Sequence, residues 1–126
     1  MARNFKELRI WKEGYDLVLD IYRVTNKFPE SERLNIVSQM NRAGTSIPLN
    51  IAEGCSRYTK NGFLQFLSYS YGSCRELEVL ILLSKDLNYI SYEEFSLLNQ
   101  KVNYLGAMIF SFMKKVENEQ WFNWFK

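Results

Sequence analysis

The 126-residue sequence contains no histidine. The commonest general base and the commonest transition-metal ligand are therefore missing, so Ser-His-Asp catalysis, haem ligation and ordinary zinc sites are not expected. Proline occurs twice and glycine six times. So few turn formers exclude a sandwich of many short strands and favour long helices. Cysteine is scarce too. Cys55 and Cys74 form no CxxC pair and no disulfide framework, and read as small hydrophobes. No apolar run is long enough to cross a bilayer, the most strongly apolar uncharged stretch being Val102–Met113. The opening stretch MARNFKELRIWKEG is charged throughout and lacks a secretory apolar core. These features lead to the expectation of a cytoplasmic protein. Charge of one sign is also lacking, since a net +2 is too small to announce nucleic acid by itself.

What is present is helical periodicity. Apolar residues make up 47% of the chain, enough for one domain over residues 1–126 with a real core. A first helix is expected over about 6–26. Leu8, Trp11, Tyr15, Val18, Tyr22 and Thr25 form one stripe, and Leu17, Ile21, Val24 and Phe28 an adjoining one. Pro29 then breaks it. A second helix is expected over about 31–56, capped by Ser31, with Leu34, Val37, Met40, Gly44, Ile47, Ile51 and Cys55 in phase. The phase continues through Pro48, which predicts a kinked helix in which Thr45 and Ser46 help satisfy freed carbonyls. Gly54 is expected to begin the unwinding of this helix. A third helix, about 60–87, starts after Thr59 and carries Phe63, Phe66, Ser70, Cys74 (or Ser73), Leu77, Ile81 and Ser84. Gly72 within it would permit close approach of another backbone. A fourth, about 91–118, opens with the capping box Ser91-x-x-Glu94 and repeats Phe95, Leu98, Val102, Leu105, Ile109, Phe112 and Val116. Short connections make this an all-α, antiparallel up-down-up-down four-helix bundle. An aromatic tail at 119–126, with Trp121, Phe122, Trp124 and Phe125, is expected to pack on the bundle, between subunits or on a partner.

Three stretches resemble a known family. They are FKELRIWKEGYDLVLDIYRVTNKFPESE, QMNRAGTSIPLNIAEGCSR and FLQFLSYSYGSCRELEVLILLSKDL, which together cover about residues 5–112. The combination of Ser46-Ile47-Pro48, Asn50 to Gly54, Arg57, Gly72-Ser73 and Glu76-Leu77-Glu78 is similar to the signature of the 23S rRNA intervening-sequence proteins, the four helix bundle proteins of bacteria. The resemblance implies a homopentamer with no established enzymatic activity. A relative, the accessory protein of diversity-generating retroelements, implies nucleic acid and a reverse transcriptase as partners. Gly62 departs from the family pattern, where an acidic helix-starting residue is usual, and is expected to weaken the cap of the third helix.

The polar residues admit more than one role. Gln39, Arg42, Ser46, Asn50, Glu53 and Arg57 line one face of the second helix. That face is a solvated surface, a register-fixing network inside an assembly with Glu76 and Glu78 as partners of Arg42 and Arg57, or a ligand site. The stretch NIAEG is not a phosphate loop, for it lacks the second glycine and the lysine. No cofactor and no metal are expected. Without a catalytic constellation, a non-enzymatic protein is the expectation.

Charge is unevenly spread. Residues 1–12 carry a net +3, residues 42–75 a net +3 and residues 76–100 a net −4. Repeated around a symmetric assembly, Arg3, Arg9, Lys12, Arg57 and Lys60 are the candidate contacts to RNA or DNA phosphates. Solubilising charges on a protein-binding scaffold are the alternative.

Overall fold

The computed structural model describes residues 3–119; the expectations for Trp121, Phe122, Trp124 and Phe125 lie outside the described residues. Among the described residues there are four long helices and no strand. They are α1 (Arg9–Thr25), α2 (Ser38–Cys55), α3 (Lys60–Asp86) and α4 (Tyr92–Asn118). None of them is long and apolar enough to cross a membrane.

The helix ends follow local chemistry. The Ser91 hydroxyl accepts from the Glu94 amide at 3.0 Å, and the Glu94 carboxylate accepts from the Ser91 amide at 2.9 Å, completing the expected capping box. α3 ends on Asn88 in the left-handed region (φ 64°), with the Asn88 amide on the Lys85 carbonyl and the Tyr89 amide on the Ser84 carbonyl, both at 2.9 Å. This double bond pattern satisfies carbonyls that the last turn leaves open, and asparagine tolerates the conformation better than most residues. The cap of α3 is intact. Thr59 accepts from the Gly62 amide at 2.9 Å, and a Cβ at Gly62 would lie 2.9 Å from that same hydroxyl. Glycine there makes room for the capping side chain, and the first turn of α3 holds no acidic residue.

Two helix starts differ from expectation. The first helix begins with a 3-10 turn at Phe5–Glu7, and α1 proper starts at Arg9. The segment expected to open the second helix instead forms a 3-10 turn, Glu30–Glu32, and a π-helical turn, Arg33–Val37, in which Asn35 leaves helical geometry. A wide turn holds an extra residue and shifts the facing side chains. Ile36 becomes buried, and Leu34, expected inside, is 88% exposed.

Cross-contacts set the arrangement. Thr25 bonds Asn41 while Gly14 lies against Ile47 and Pro48; Met40 meets Ser84 while Gly54 lies against Phe63 and Phe66. Cys74 lies by Gly106 and Phe63 by Phe112, and α4 returns along α1 through Lys101–Asp20 and Lys27–Glu94. In each neighbouring pair, residue numbers rise along one helix as they fall along the other. The core between them holds Leu17, Ile21, Met40, Ile47, Ile51, Phe63, Leu67, Leu77, Ile81, Leu98, Leu105 and Ile109, each less than 2% exposed or nearly so. α1 thus buries its second stripe and leaves Tyr15 and Tyr22 of the first about half exposed.

α2 stays one helix through Pro48. Proline has no N–H for the Gly44 carbonyl. Neither neighbouring hydroxyl serves that carbonyl. Thr45 bonds the Asn41 and Arg42 carbonyls at 2.8 and 3.2 Å, and Ser46 bonds the Ser73 hydroxyl at 2.8 Å. The buried Ser70 hydroxyl donates across to the Ile47 carbonyl at 2.9 Å.

Both cysteines are buried free thiols. Burial raises Cys55 to about 11 and Cys74 to about 12, slightly offset by Arg3 and Arg75 respectively. An unfolded chain ionises these thiols near their ordinary value of 9.0. Above that pH the unfolded state binds fewer protons than the native state, so stability is complete below it and falls as pH rises towards 11. Urea unfolding at pH values from about 8 to about 10.5 should therefore show an alkaline loss that is reduced in a Cys55→Ala, Cys74→Ala variant. Equal slopes for the two proteins would count against buried thiols as the cause.

Candidate nucleic-acid interface

The starts of α1 and α3 and the ends of α2 and α4 meet at one end of the bundle, and the five candidate cations lie towards it. A cleft of about 570 Å³ opens there between the N-terminal segment and α4. Arg3 and Arg9 line it from one side, and Tyr104, Ser111 and Lys115 from the other. Residues 104, 108, 111 and 115 share a face of α4 because they step by four, three and four. The Arg9 guanidinium donates to the Tyr104 hydroxyl at 3.1 Å, lies 5.7 Å from that ring and pairs with Glu13 at 3.7 Å. Arg3 sits 5.9 Å from the Phe112 ring, and burial lowers its pKa, with Cys55 and Glu119 opposing.

The other three candidates do not line this cleft. Lys12 is exposed on α1, three residues beyond Arg9. Arg57 pairs with Glu53 at 2.6 Å and lies 4.4 Å above the Phe66 ring, on the α2–α3 side. Lys60 donates to the Glu117 and Glu119 carbonyls at 2.7 and 2.9 Å. There its ammonium meets the negative end of α4, a structural job. Lys115 and Tyr104 are not among the sequence candidates, because the apolar stripe of the fourth helix passes them by. The Lys114-Lys115 pair one turn beyond Ser111 is the signal that could have found this face.

The expected polar network divides into local groups. Arg42 reaches Glu76 at 3.5 Å across α2 and α3. Glu78 pairs instead with Arg75 at 2.8 Å, and Arg75 also bonds Tyr71. Asn50 donates to the Ser46 carbonyl and hydroxyl at 2.8 and 2.9 Å, beside the Ser46–Ser73 bond. NIAEG is a stretch of α2, with its amides inside the helix rather than gathered in a loop. Among the described residues, no group of three or more acidic or cysteine side chains is placed to hold a metal ion.

A solved protein of unknown function from the S23 ribosomal protein family of Bacteroides thetaiotaomicron VPI-5482 superposes with a TM-score of 0.75. The match has 21% sequence identity and covers 83% of this chain and 98% of that one, a likeness of fold. No curated protein matches the sequence. The family model of the 23S rRNA-intervening sequence proteins matches residues 6–111, and the chain, with its four helices and its signature built into α2 and α3, belongs to that family.

Proposed function

We propose that this protein is a non-catalytic homo-oligomer, five copies in a ring, that binds structured RNA in the cytoplasm through basic side chains at one end of each subunit. The observation that carries the reading is the cleft lined by Arg3, Arg9 and Lys115 against a single carboxylate, Glu7, together with Tyr104 and Ser111. One such cleft is a weak anion site. Repeated by symmetry, it becomes a ring of cations matched to a phosphate backbone.

Fluorescence anisotropy with a labelled RNA hairpin over a salt series tests this. Affinity should fall steeply with salt. An Arg9→Ala, Lys115→Ala variant should bind more weakly with a shallower slope, by roughly 0.7–0.9 for each phosphate it no longer neutralises. Lys60→Ala should act mainly on stability, since its ammonium holds the end of α4. Failure of the wild type to retain RNA at low salt would sink the reading. A second reading, an oligomeric scaffold that docks a protein such as a reverse transcriptase and binds no nucleic acid, is favoured by an apolar groove between α1 and α2.

A further inference from the structure

The cleft between the N-terminal segment and α4 holds more than phosphate chemistry requires. Its cations are partly answered within the chain. Glu7 lines it, Glu13 pairs with Arg9 at 3.7 Å, and Glu119 lies near enough to Arg3 to act on its charge. Charge alone therefore makes it a modest anion site. Its floor is apolar. Leu8 and Ile10 are 9% and 4% exposed, and Met108 and Phe112 are partly buried against the same core. Two arginine–aromatic pairs bracket that floor. The Arg3 guanidinium lies 5.9 Å from the Phe112 ring centre, and the Arg9 guanidinium 5.7 Å from that of Tyr104. Tyr104 and Phe112 stand about 12 Å apart along α4, with Met108 midway. The volume of about 570 Å³ suits a site that encloses a small organic group, and a lone phosphate would leave most of it empty.

We infer that this cleft receives one unpaired nucleotide of the RNA, its base on the apolar floor between the two arginine–aromatic pairs and its phosphate at Arg9 and Lys115. This rests on the RNA-binding reading above and names the part of the RNA that the site takes. The faces of a base are flat and apolar, and aromatic rings and guanidinium planes are the groups on which unstacked bases settle. Methionine, unbranched and polarisable, fits itself against such a face whatever the base. Lys114 pairs with Glu117 at 3.7 Å, while Lys115 lines the cleft one turn past Ser111, within reach of a phosphate attached to the base. A base inside a duplex has both faces covered by its neighbours and cannot enter. The ligand is thus a bulged, looped-out or terminal nucleotide rather than the duplex backbone.

Fluorescence anisotropy at low salt tests this with three labelled RNA duplexes. One is fully paired, one carries a single bulged adenosine, and one has a bulge that keeps the ribose and phosphate but lacks the base. The wild type should bind the bulged duplex about tenfold more tightly than the paired one, and removing the base should abolish that gain. Ala107→Leu, at an exposed position lining the cleft, puts side-chain carbons where the base would lie and should bring the ratio of bulged to paired affinity to about one. In a sample with labelled methionine methyl groups, the Met108 signal should shift under the ring current of the bulged base and stay in place with the abasic duplex. Adenosine monophosphate should bind at least about tenfold more weakly than the bulged duplex, because it lacks the flanking phosphates. Equal affinity would make a free nucleotide the ligand and overturn the RNA source. A wild type that retains neither the paired nor the bulged duplex overturns the RNA reading together with this inference. Equal affinity for those two duplexes, a gain that survives loss of the base, a ratio unchanged in Ala107→Leu, or a Met108 signal that does not move overturns the nucleotide alone and leaves the RNA reading standing.

Discussion

Replacing Phe63 with alanine is expected to lower the unfolding free energy by about 3–5 kcal/mol. Phe63 opens α3 and is 2% exposed. Its ring meets Phe112 of α4 edge-on, at a centroid distance of 6.0 Å, and lies against Gly54 of α2. One side chain therefore closes three helices at the same end of the bundle. Truncation removes the transfer free energy of the ring, leaves a cavity that helix backbones cannot collapse into, and ends an aromatic contact of about 0.5–1.5 kcal/mol. For a chain of this size the midpoint should fall by roughly 10–20 °C. Chemical denaturation with an unchanged m-value is the deciding measurement. A loss under about 1 kcal/mol would mean that this end of the bundle is not packed as described, since surface substitutions seldom exceed half that.

The second large effect comes from adding atoms at the same place. A Cβ at Gly54 would stand 3.0 Å from a ring carbon of Phe63 and 3.1 Å from the Cβ of Phe66. The Phe66 Cβ moves only with its backbone, so α2 and α3 would have to part. Gly54→Val is expected to cost about 1–3 kcal/mol through overpacking, despite the better helix propensity of valine. The two substitutions should not add. Phe63→Ala empties the space that the added valine side chain would need, so the double variant should be more stable than the sum of the single losses by about 0.5–3 kcal/mol. The cost should not vanish, because Phe66 remains. Additive losses would show that Gly54 and Phe63 do not meet.

These two positions also show how far the sequence can be read. Phe63 is legible as an inward residue, because its spacing from Phe66, Ser70 and Leu77 follows the helical period. Gly54 reads only as the place where a helix begins to unwind. Its role as a close-packing position depends on Phe63 and Phe66, which belong to another helix. The same distinction holds for Lys60. In the sequence it is one basic residue among several, and its bonds to the Glu117 and Glu119 carbonyls exist only because the end of α4 is brought beside the start of α3. The π turn at Arg33–Val37 is a third case. Ser31 and Glu32 carry good helix-starting chemistry, yet a locally stable start yielded to a wide turn that aims Ile36 inward.

Composition and apolar period alone determined the four helices, their short connections and most of the inward residues, because a helix repeats its environment every three or four residues and the core selects apolar side chains at that period. The Ser91–Glu94 cap was equally local, since both partners lie within one turn. Only the tertiary structure decided which of two α1 stripes faces the core, which cations converge on a cleft and which carboxylate each arginine meets. Those outcomes depend on the rotation and axial offset of one helix against another. Distant side chains set these through the way they fill space, and neighbours in sequence carry no record of it.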